Sequence, residues 1–408
     1  MKRGLAVAGL GILLCGIIAT AGFIIKSNRR FEPMEKASAS SPREPVTAAD
    51  RDDKKTERRK ETPNSPKVPD SVGKSGTEIP ETAAETEPVR TEPIRLTFAG
   101  DILLDERYAI MASLGNRSIT EAFDEVLLDE MRGADIFMLN NEFPYTDRGT
   151  PVPEKQYTFR ASPEKVNCLR DIGADIVSIA NNHAYDYGEI SLLDTLDVLD
   201  GIQMPHVGAG HDIEEARKPY IFELDGFRIA FVSATQIEKN AAPDTKGAGE
   251  GTPGVFRCLD DTLLCRTVEE AAQEADFTVV YVHWGTEGTH ETDWMQKELA
   301  PHIAEAGADL IIGDHPHVLQ GIEYCEGVPV FYSLGNYLFN SKTIDTCLVS
   351  ADIDPQTAEI TDLRIIPALQ SGCRCRSLTG SEKLRVIQDM RSYSPGTDID
   401  EEGHIKRN

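Results

Sequence analysis

Residues 173–183 read Gly173-Ala174-Asp175-Ile176-Val177-Ser178-Ile179-Ala180-Asn181-Asn182-His183. Three signals follow one another there. Gly suits the left-handed position that ends a helix. The run from Ile176 to Ala180 has the character of a buried strand. Asn181-Asn182-His183 then places polar, metal-capable side chains just past the strand end. The same order recurs at Gly133-Ala134-Asp135-Ile136 and at Gly307-Ala308-Asp309-Leu310. Glu274-Ala275-Asp276-Phe277 is a fourth version without the Gly, and it leads into Phe277–Val282. Start signals precede the helices: Ser118 to Glu121 has the form of a capping box, and Ser162-Pro163 puts Pro at a first helical position. Repeated helix–strand units of this kind predict a layered α/β fold around buried sheets.

Other segments add antiparallel pairing. Ile94–Ala99 alternates and opens the folded part. Asp225-Gly226 between Tyr220–Leu224 and Phe227–Val232 is a two-residue hairpin signal. Val328–Leu334, Cys347–Ile353 and Ile360–Ile366 read as further strands, so mixed sheets are expected. Past about residue 392 the chain turns polar, which predicts a frayed tail.

Toward the N-terminus the character changes. Gly4 to Ile25 carries no charge and is bracketed by Lys2, Arg3, Lys26, Arg29 and Arg30. A helix of that length crosses a hydrocarbon layer of roughly 30 Å. A cleaved signal peptide with Ala19-Thr20-Ala21 as its site is the competing reading, but the apolar run continues through Gly22–Ile25. Residues 1–30 are therefore read as an uncleaved signal-anchor, placing the rest outside the cytoplasm at the cell membrane. Residues 31–93 hold nine of the 23 prolines and one aromatic, Phe31. That composition cannot bury enough apolar surface to offset chain entropy and predicts a disordered stalk. The folded domain is set at 94–370 and a C-terminal extension at 371–408.

Charge narrows the functions. The net charge is −26. Residues 1–95 hold 17 basic and 14 acidic side chains, whereas 96–408 hold 25 and 54. A nucleic-acid binder working through a basic face is excluded on that balance. An anionic substrate would be repelled as well, unless a local cation reverses the field. Seven cysteines lie beyond the apolar run, an odd number that leaves at least one thiol unpaired in a monomer.

Five strands end in chemically capable side chains: Gly100-Asp101, Asn140-Asn141-Glu142, Asn181-Asn182-His183, His283-Trp284-Gly285 and Gly313-Asp314-His315-Pro316-His317. In open α/β sheets the carboxyl ends of strands form the ligand crevice. Each cluster alone is as readily a turn or a cap; five at equivalent positions are not readily five independent turns. The mixed N/O donor set, without thiolate, suits Mn, Fe or Zn better than Ca. No H-E-x-x-H, G-x-S-x-G or G-x-x-x-x-G-K-[ST] pattern occurs.

Phe98-Ala99-Gly100-Asp101, Asn141-Glu142, Ala180–His183 with Asp186 and Gly188, His283-Trp284-Gly285 with Glu287, Gly313–Gln320, and Tyr332-Ser333-Leu334-Gly335-Asn336 follow one another in this order. Together they resemble the CapA/PgsA family of capsule and poly-γ-glutamate synthesis proteins, related to calcineurin-like metallophosphatases, over about residues 94–345. The resemblance implies a metallophosphatase-like α/β sandwich and one or two divalent metals. It implies Asp101, Asn182, His283, His315 and His317 as ligands, Glu142 as the bridging carboxylate, and His183 as proton donor to a leaving group. Asp186, Glu287, Asp314, Tyr332 and Asn336 would support the site. Two positions depart from the pattern. Asp101-Ile102-Leu103 stands where metallophosphatases carry Asp-x-His, which leaves one metal short of a ligand. Asp314 stands where the family often has His or Ser.

Two functions follow as expectations. One is a metal-dependent hydrolase or transferase acting on a phosphoester or amide during capsule polymer synthesis. The other is a non-catalytic, metal-binding component of a membrane complex that assembles or exports an anionic polymer. A metal that only stabilises a surface adhesin is a third reading.

Overall fold

The computed structural model describes residues 90–237 and 245–407. The expected anchor, and the expected stalk up to residue 89, lie outside the described residues. Among the described residues no helix is long and apolar enough to cross a membrane.

Two mixed sheets face each other. The first runs, in spatial order, Arg374–Ser377, Ile360–Ser371, Ile344–Ile353, Ile94–Ile102, Ile136–Asn141, Ile176–Ser178 and His206–Val207, with Asn336–Leu338 beside the end of Ile94–Ile102. The second runs Ile322–Cys325, Val328–Phe331, Leu310–Asp314, Phe277–His283, Phe227–Thr235 and Tyr220–Leu224. Side chains alternate across each strand, so every buried strand feeds two cores. Leu96, Phe98 and Met138 meet Ile229, Phe231, Val279, Tyr281 and Ile312 between the sheets. Phe137, Leu139 and Val177 face outward onto helices Glu125–Arg132, Asn167–Ile172 and Glu189–Gly201. Val232, Val280 and Ile311 face outward onto helices Thr262–Glu274 and Trp294–Glu305. The result is a four-layer sandwich with helices outside and sheets inside.

The repeated Ala-Asp junction has a physical purpose beyond ending a helix. Asp135, Asp175, Asp276 and Asp309 each accept a bond, through the side chain, from a backbone N–H on the neighbouring strand, at Arg95, Phe137, Arg228 and Thr278, all at 2.8 Å. Each also donates its own N–H to a carbonyl of that strand at 2.8–3.0 Å. Every junction is thus a two-bond clamp between the starts of adjacent parallel strands. Gly173 and Gly307 adopt the expected left-handed backbone, at φ 91° and 105°. Gly133 does not: at φ −86° it stays right-handed.

The Asp225-Gly226 turn forms as read, pairing Leu224 with Phe227. Ser118 opens a single 3-10 turn, and Asp124 caps the helix that follows, accepting from Leu127. The tail is not frayed. Thr397–Ile399 pairs with Ile405–Arg407, and Ile399 and Ile405 join the core between the sheets with Val386, Ile387 and Met390 of helix Gly380–Tyr393. Two isoleucines in a polar stretch suffice because a hairpin turns both inward. A boundary at 370 would also cut strand Ile360–Ser371 from its partner Arg374–Ser377. All seven described cysteines are free thiols.

One close approach places the functional end of the first strand. A Cβ on Gly100 would lie 2.0 Å from the carbonyl oxygen of Gly335, and the next residue's N–H bonds that same oxygen at 3.2 Å. Gly100→Ala must therefore push strand and turn apart. A loss of about 1–3 kcal/mol, the usual cost of overpacking, should appear as a lower thermal midpoint by circular dichroism. An unchanged midpoint would show that the turn yields freely.

Candidate metal centre

The cluster sits where the two sheets meet at the carboxyl ends of their parallel strands. The first sheet contributes Asp101, Asn140 and, just past its strands, Glu142 and Asn181-Asn182-His183. The second contributes His283 and the Asp314–His317 turn. Asn336 joins beside Asp101, its register partner. Tyr281 ties the sheets below this level, donating its hydroxyl to the Ala99 carbonyl at 2.7 Å.

Asp101 accepts from Asn140 Nδ2 at 2.9 Å and pairs with His317 Nδ1 at 3.1 Å. His317 Nδ1 also lies 2.8 Å from Asn336 Oδ1. His283 Nε2 lies 2.7 Å from Asn182 Oδ1, and its Nδ1 lies 3.0 Å from Asp314 Oδ1. Glu142 Oε1 lies 3.7 Å from His283 Nε2 and 3.9 Å from His183 Nε2. Asn181 braces two loops, donating to Asn140 Oδ1 and to the Asn141 carbonyl at 3.0 Å. His315 and His317 hold left-handed backbone, at φ 93° and 60°. Such non-Gly conformations cost free energy and persist where surrounding structure dictates them.

Electrostatics explains why this cluster is unusual. Asp101, Glu142, His283 and Asp314 are all fully buried. The ion-pair partners of the three carboxylates among the described residues are histidines. Burial, then the charges of Asp101 and Asp314, hold the Glu142 carboxyl well above its ordinary range. Burial and Asp101 do the same to Asp314. Burial also opposes ionisation of Asp101 and is the largest single influence, but the bond to His317, the charges of His317 and His283 and the bond from Asn140 together outweigh it, and Asp101 stays below its usual value. His317 is correspondingly raised: burial pulls it down, and the bond and charge of Asp101, joined by the charge of Glu287 and the bond to Asn336, more than compensate. Burial lowers His283 to about 3. Both oxygens of Glu142 and Oδ2 of Asp314 have no hydrogen-bond partner among the described residues. Orphaned buried carboxylate oxygens are costly, and a cation is the group that satisfies them. Glu142, His315 and His317 offer donor atoms within 4.8 Å of one another, as do Asp101, His283 and Asp314. Two such groups side by side fit one or two divalent ions with mixed N/O ligands.

His183 stands at the edge of this set. Its Nδ1 lies 2.7 Å from Asp186 Oδ2, which turns Nε2 toward Glu142. Burial lowers its pKa. Phe159 packs on the imidazole at 4.2 Å between ring centres, and Phe339 bridges from Phe159 at 5.6 Å to His317 at 4.9 Å. An apolar wall therefore links the two histidines.

Asp101, Glu142, Asn182, His183, His283, His315 and His317 converge as a group, with Asp186, Asp314 and Asn336 bonded directly to members of it. Glu287 lies on the exposed loop past Trp284 and acts only by its charge. Tyr332 is a correction. Its hydroxyl donates to Glu323 at 3.0 Å and lines a separate cavity of about 820 Å³ with Cys325, His290 and Tyr393. Toward the centre it offers its ring, packed on Trp284 at 5.7 Å between ring centres, and its carbonyl, which accepts from Trp284 Nε1 at 2.9 Å. The sequence reading named Asn140 among the strand ends but gave it no role, although it stands two residues before Glu142. It missed Lys155, Phe159 and Phe339, which come from loops without periodicity.

Fold and site together define an α/β sandwich with a buried carboxylate–histidine–asparagine centre at its sheet ends. Residues 95–341 match the family model described as bacterial capsule synthesis protein PGA_cap. The chain belongs to that family, the capsule and polyglutamate synthesis proteins. It is 33% identical over 317 residues to the PGA biosynthesis protein CapA of Bacillus subtilis (strain 168), covering 74% of this chain and 81% of the relative. It is 28% identical to the capsule biosynthesis protein CapA of Bacillus anthracis, covering 73% of each. A solved structure described as a novel phosphatase of Mycoplasma pneumoniae overlaps loosely, with a TM-score of 0.46 and 13% identity over 69% of this chain and 95% of that one.

Proposed function

We propose that this chain is a membrane-anchored, extracytoplasmic protein of capsule polymer synthesis or export, of the poly-γ-glutamate type, with a metal-dependent hydrolase or transferase site of the metallophosphatase kind. The observation that carries the reading is the orphaned Glu142 carboxylate amid Asp101, Asp314 and three histidines. Asp101, Glu142, Asn182, His283, His315 and His317 would hold one or two ions of Mn, Fe or Zn, with Asp314 as a further donor. A divalent ion there supplies polarisation of a phosphoryl or carbonyl oxygen and the positive charge that draws an anionic polymer to an acidic domain. His183 carries the proton for a leaving group at Nε2, with Asp186 orienting the ring from Nδ1. Capsule synthesis and export proteins of the membrane are the proposed partners.

A second reading keeps the metal and drops the chemistry: the ions hold polymer carboxylates in an assembly complex. Leu103 favours it. This residue is buried and apolar, and it occupies the position where an added histidine would complete the first ligand pair. Both readings require the metal. Protein purified without chelator should contain at least about half an equivalent of Mn, Fe or Zn by elemental analysis, and His317→Ala should lower it. Metal-free protein that fully supports polymer production would overturn both.

A further inference from the structure

We propose that Lys155 is the positioning residue for His183, holding the imidazole with Nδ1–H on Asp186 so that Nε2 faces Glu142 and is the nitrogen that takes up and delivers the transferable proton. The inference deepens the proposed function, and its link to turnover rests on that reading. Lys155 lies on the loop between Thr146 and Ala161, whose neck is closed by the bonds Thr146 N–H to Ala161 and Ala161 N–H to Pro144, both 2.9 Å. Glu154, Gln156 and Tyr157 around it are exposed. The Lys155 side chain is 6% exposed. It turns inward, where its ammonium donates to Asp186 Oδ1 at 2.5 Å and to the carbonyl of Asn182.

Asp186 is the hub. Its Oδ2 takes His183 Nδ1 at 2.7 Å and the Phe159 N–H at 2.6 Å, while its carbonyl takes the Val152 N–H at 2.9 Å. Its charge is buried, and Lys155 is the cation that pairs with it. With Oδ1 occupied by the ammonium, the carboxylate has one direction left in which to accept from His183. The same ammonium grips the Asn182 carbonyl, so the peptide joining Asn182 to His183 is fixed from both sides. One side chain thereby sets the ring's tilt, its protonated nitrogen and the register of the loop that brings Phe159 against it.

The test uses the full-length chain, chelator-treated, with [15N]histidine labelling. The His183 Nδ1–H bonded to a carboxylate should give a downfield proton resonance, assigned by its absence in His183→Gln. Lys155→Met is expected to shift that resonance upfield or abolish it while leaving the other histidine signals in place. Lys155→Arg, which keeps a cation facing Asp186, should restore it at least in part. Should Lys155→Met fail to unfold cooperatively, Lys155→Gln must move the resonance in the same sense. A spectrum unchanged in the variant that folds overturns the proposal, because a lysine that only fastens the loop would leave the imidazole as it was. The second readout is hydrolysis of an activated phosphodiester by the zinc-loaded chain, where Lys155→Met should lower turnover at least tenfold at equal metal content. A moved resonance in a chain with no turnover in any form would sustain the positioning role and remove the catalytic reading instead.

Discussion

His183→Gln should lower polymer output, or hydrolysis of an activated phosphodiester, by about 10²–10⁴-fold, the usual contribution of a positioned proton donor, with bound metal and thermal midpoint unchanged. Glutamine fills similar space and can still donate to Asp186, so the bond at 2.7 Å has a replacement. What it cannot do is carry a transferable proton toward the centre. His183 Nε2 lies 3.9 Å from Glu142 Oε1, near enough to face a group bound there and too far to be held by the carboxylate itself. Asp101→Ala and Glu142→Ala should behave differently and lose metal together with function. The measurement is complementation of polymer output, with metal content determined for each variant. Full complementation by a metal-replete His183→Gln chain would end the proton-donor assignment and leave the polymer-holding reading in place.

Removing the metal should make stability fall with rising pH above about 6.5, where the loaded protein stays level. Glu142 and Asp314 have folded pKa values raised well above their ordinary ones. Such groups contribute stability that is fully present below the unfolded value and is lost as pH rises through the folded value. His317, also raised, acts in the same direction. His283 and His183 are lowered and act oppositely, but only below the ordinary histidine value of 6.5, where the unfolded chain takes up protons they refuse. The lowered Asp101 matters only in stronger acid. Above 6.5 the first set acts alone. A bound divalent cation favours the ionised carboxylates and cancels the loss. Free metal at a hundred times its dissociation constant stabilises by about 2.7 kcal/mol, which at roughly 2–4 °C per kcal/mol for a domain of this class gives a gap of about 5–10 °C. Thermal scans of stripped and zinc-loaded protein should show that gap widening as pH rises above the ordinary histidine value. Curves that converge as pH rises would mean that the carboxylates are not what the metal relieves.

Much of this site was legible because it is built on strand ends, where a buried run breaks into Asp, Asn or His with nothing else to explain it. Asp101, Glu142, Asn182, His283 and the His315–His317 pair all follow that rule. Tyr332 failed by it. Phe331 ends the strand, and a residue just beyond can turn to either side of the sheet; Tyr332 turned to Glu323. Lys155 and Phe159 could not be found this way, since their partners in residues 182–186 are distant in sequence and the loop bearing them has no apolar period. The frayed tail was misread because hydrophobic count was taken for packing. Ile399 and Ile405 are few, but a hairpin aims both at one core.

The Asp135, Asp175, Asp276 and Asp309 clamps lie at the end of the sheets opposite the metal donors. Fixing where each strand begins leaves strand length as the variable that sets how deep its last side chain reaches. One residue inserted between Ile176 and Asn182 would advance Asn182 by about 3.3 Å and turn it to the opposite face. Loops such as the one from Trp284 to Asp293 carry no such constraint. Among relatives of this chain, insertions should therefore gather in the loops, while the spacing from each clamping aspartate to its metal donor, Asp175 to Asn182 or Asp309 to Asp314, behaves as a fixed ruler.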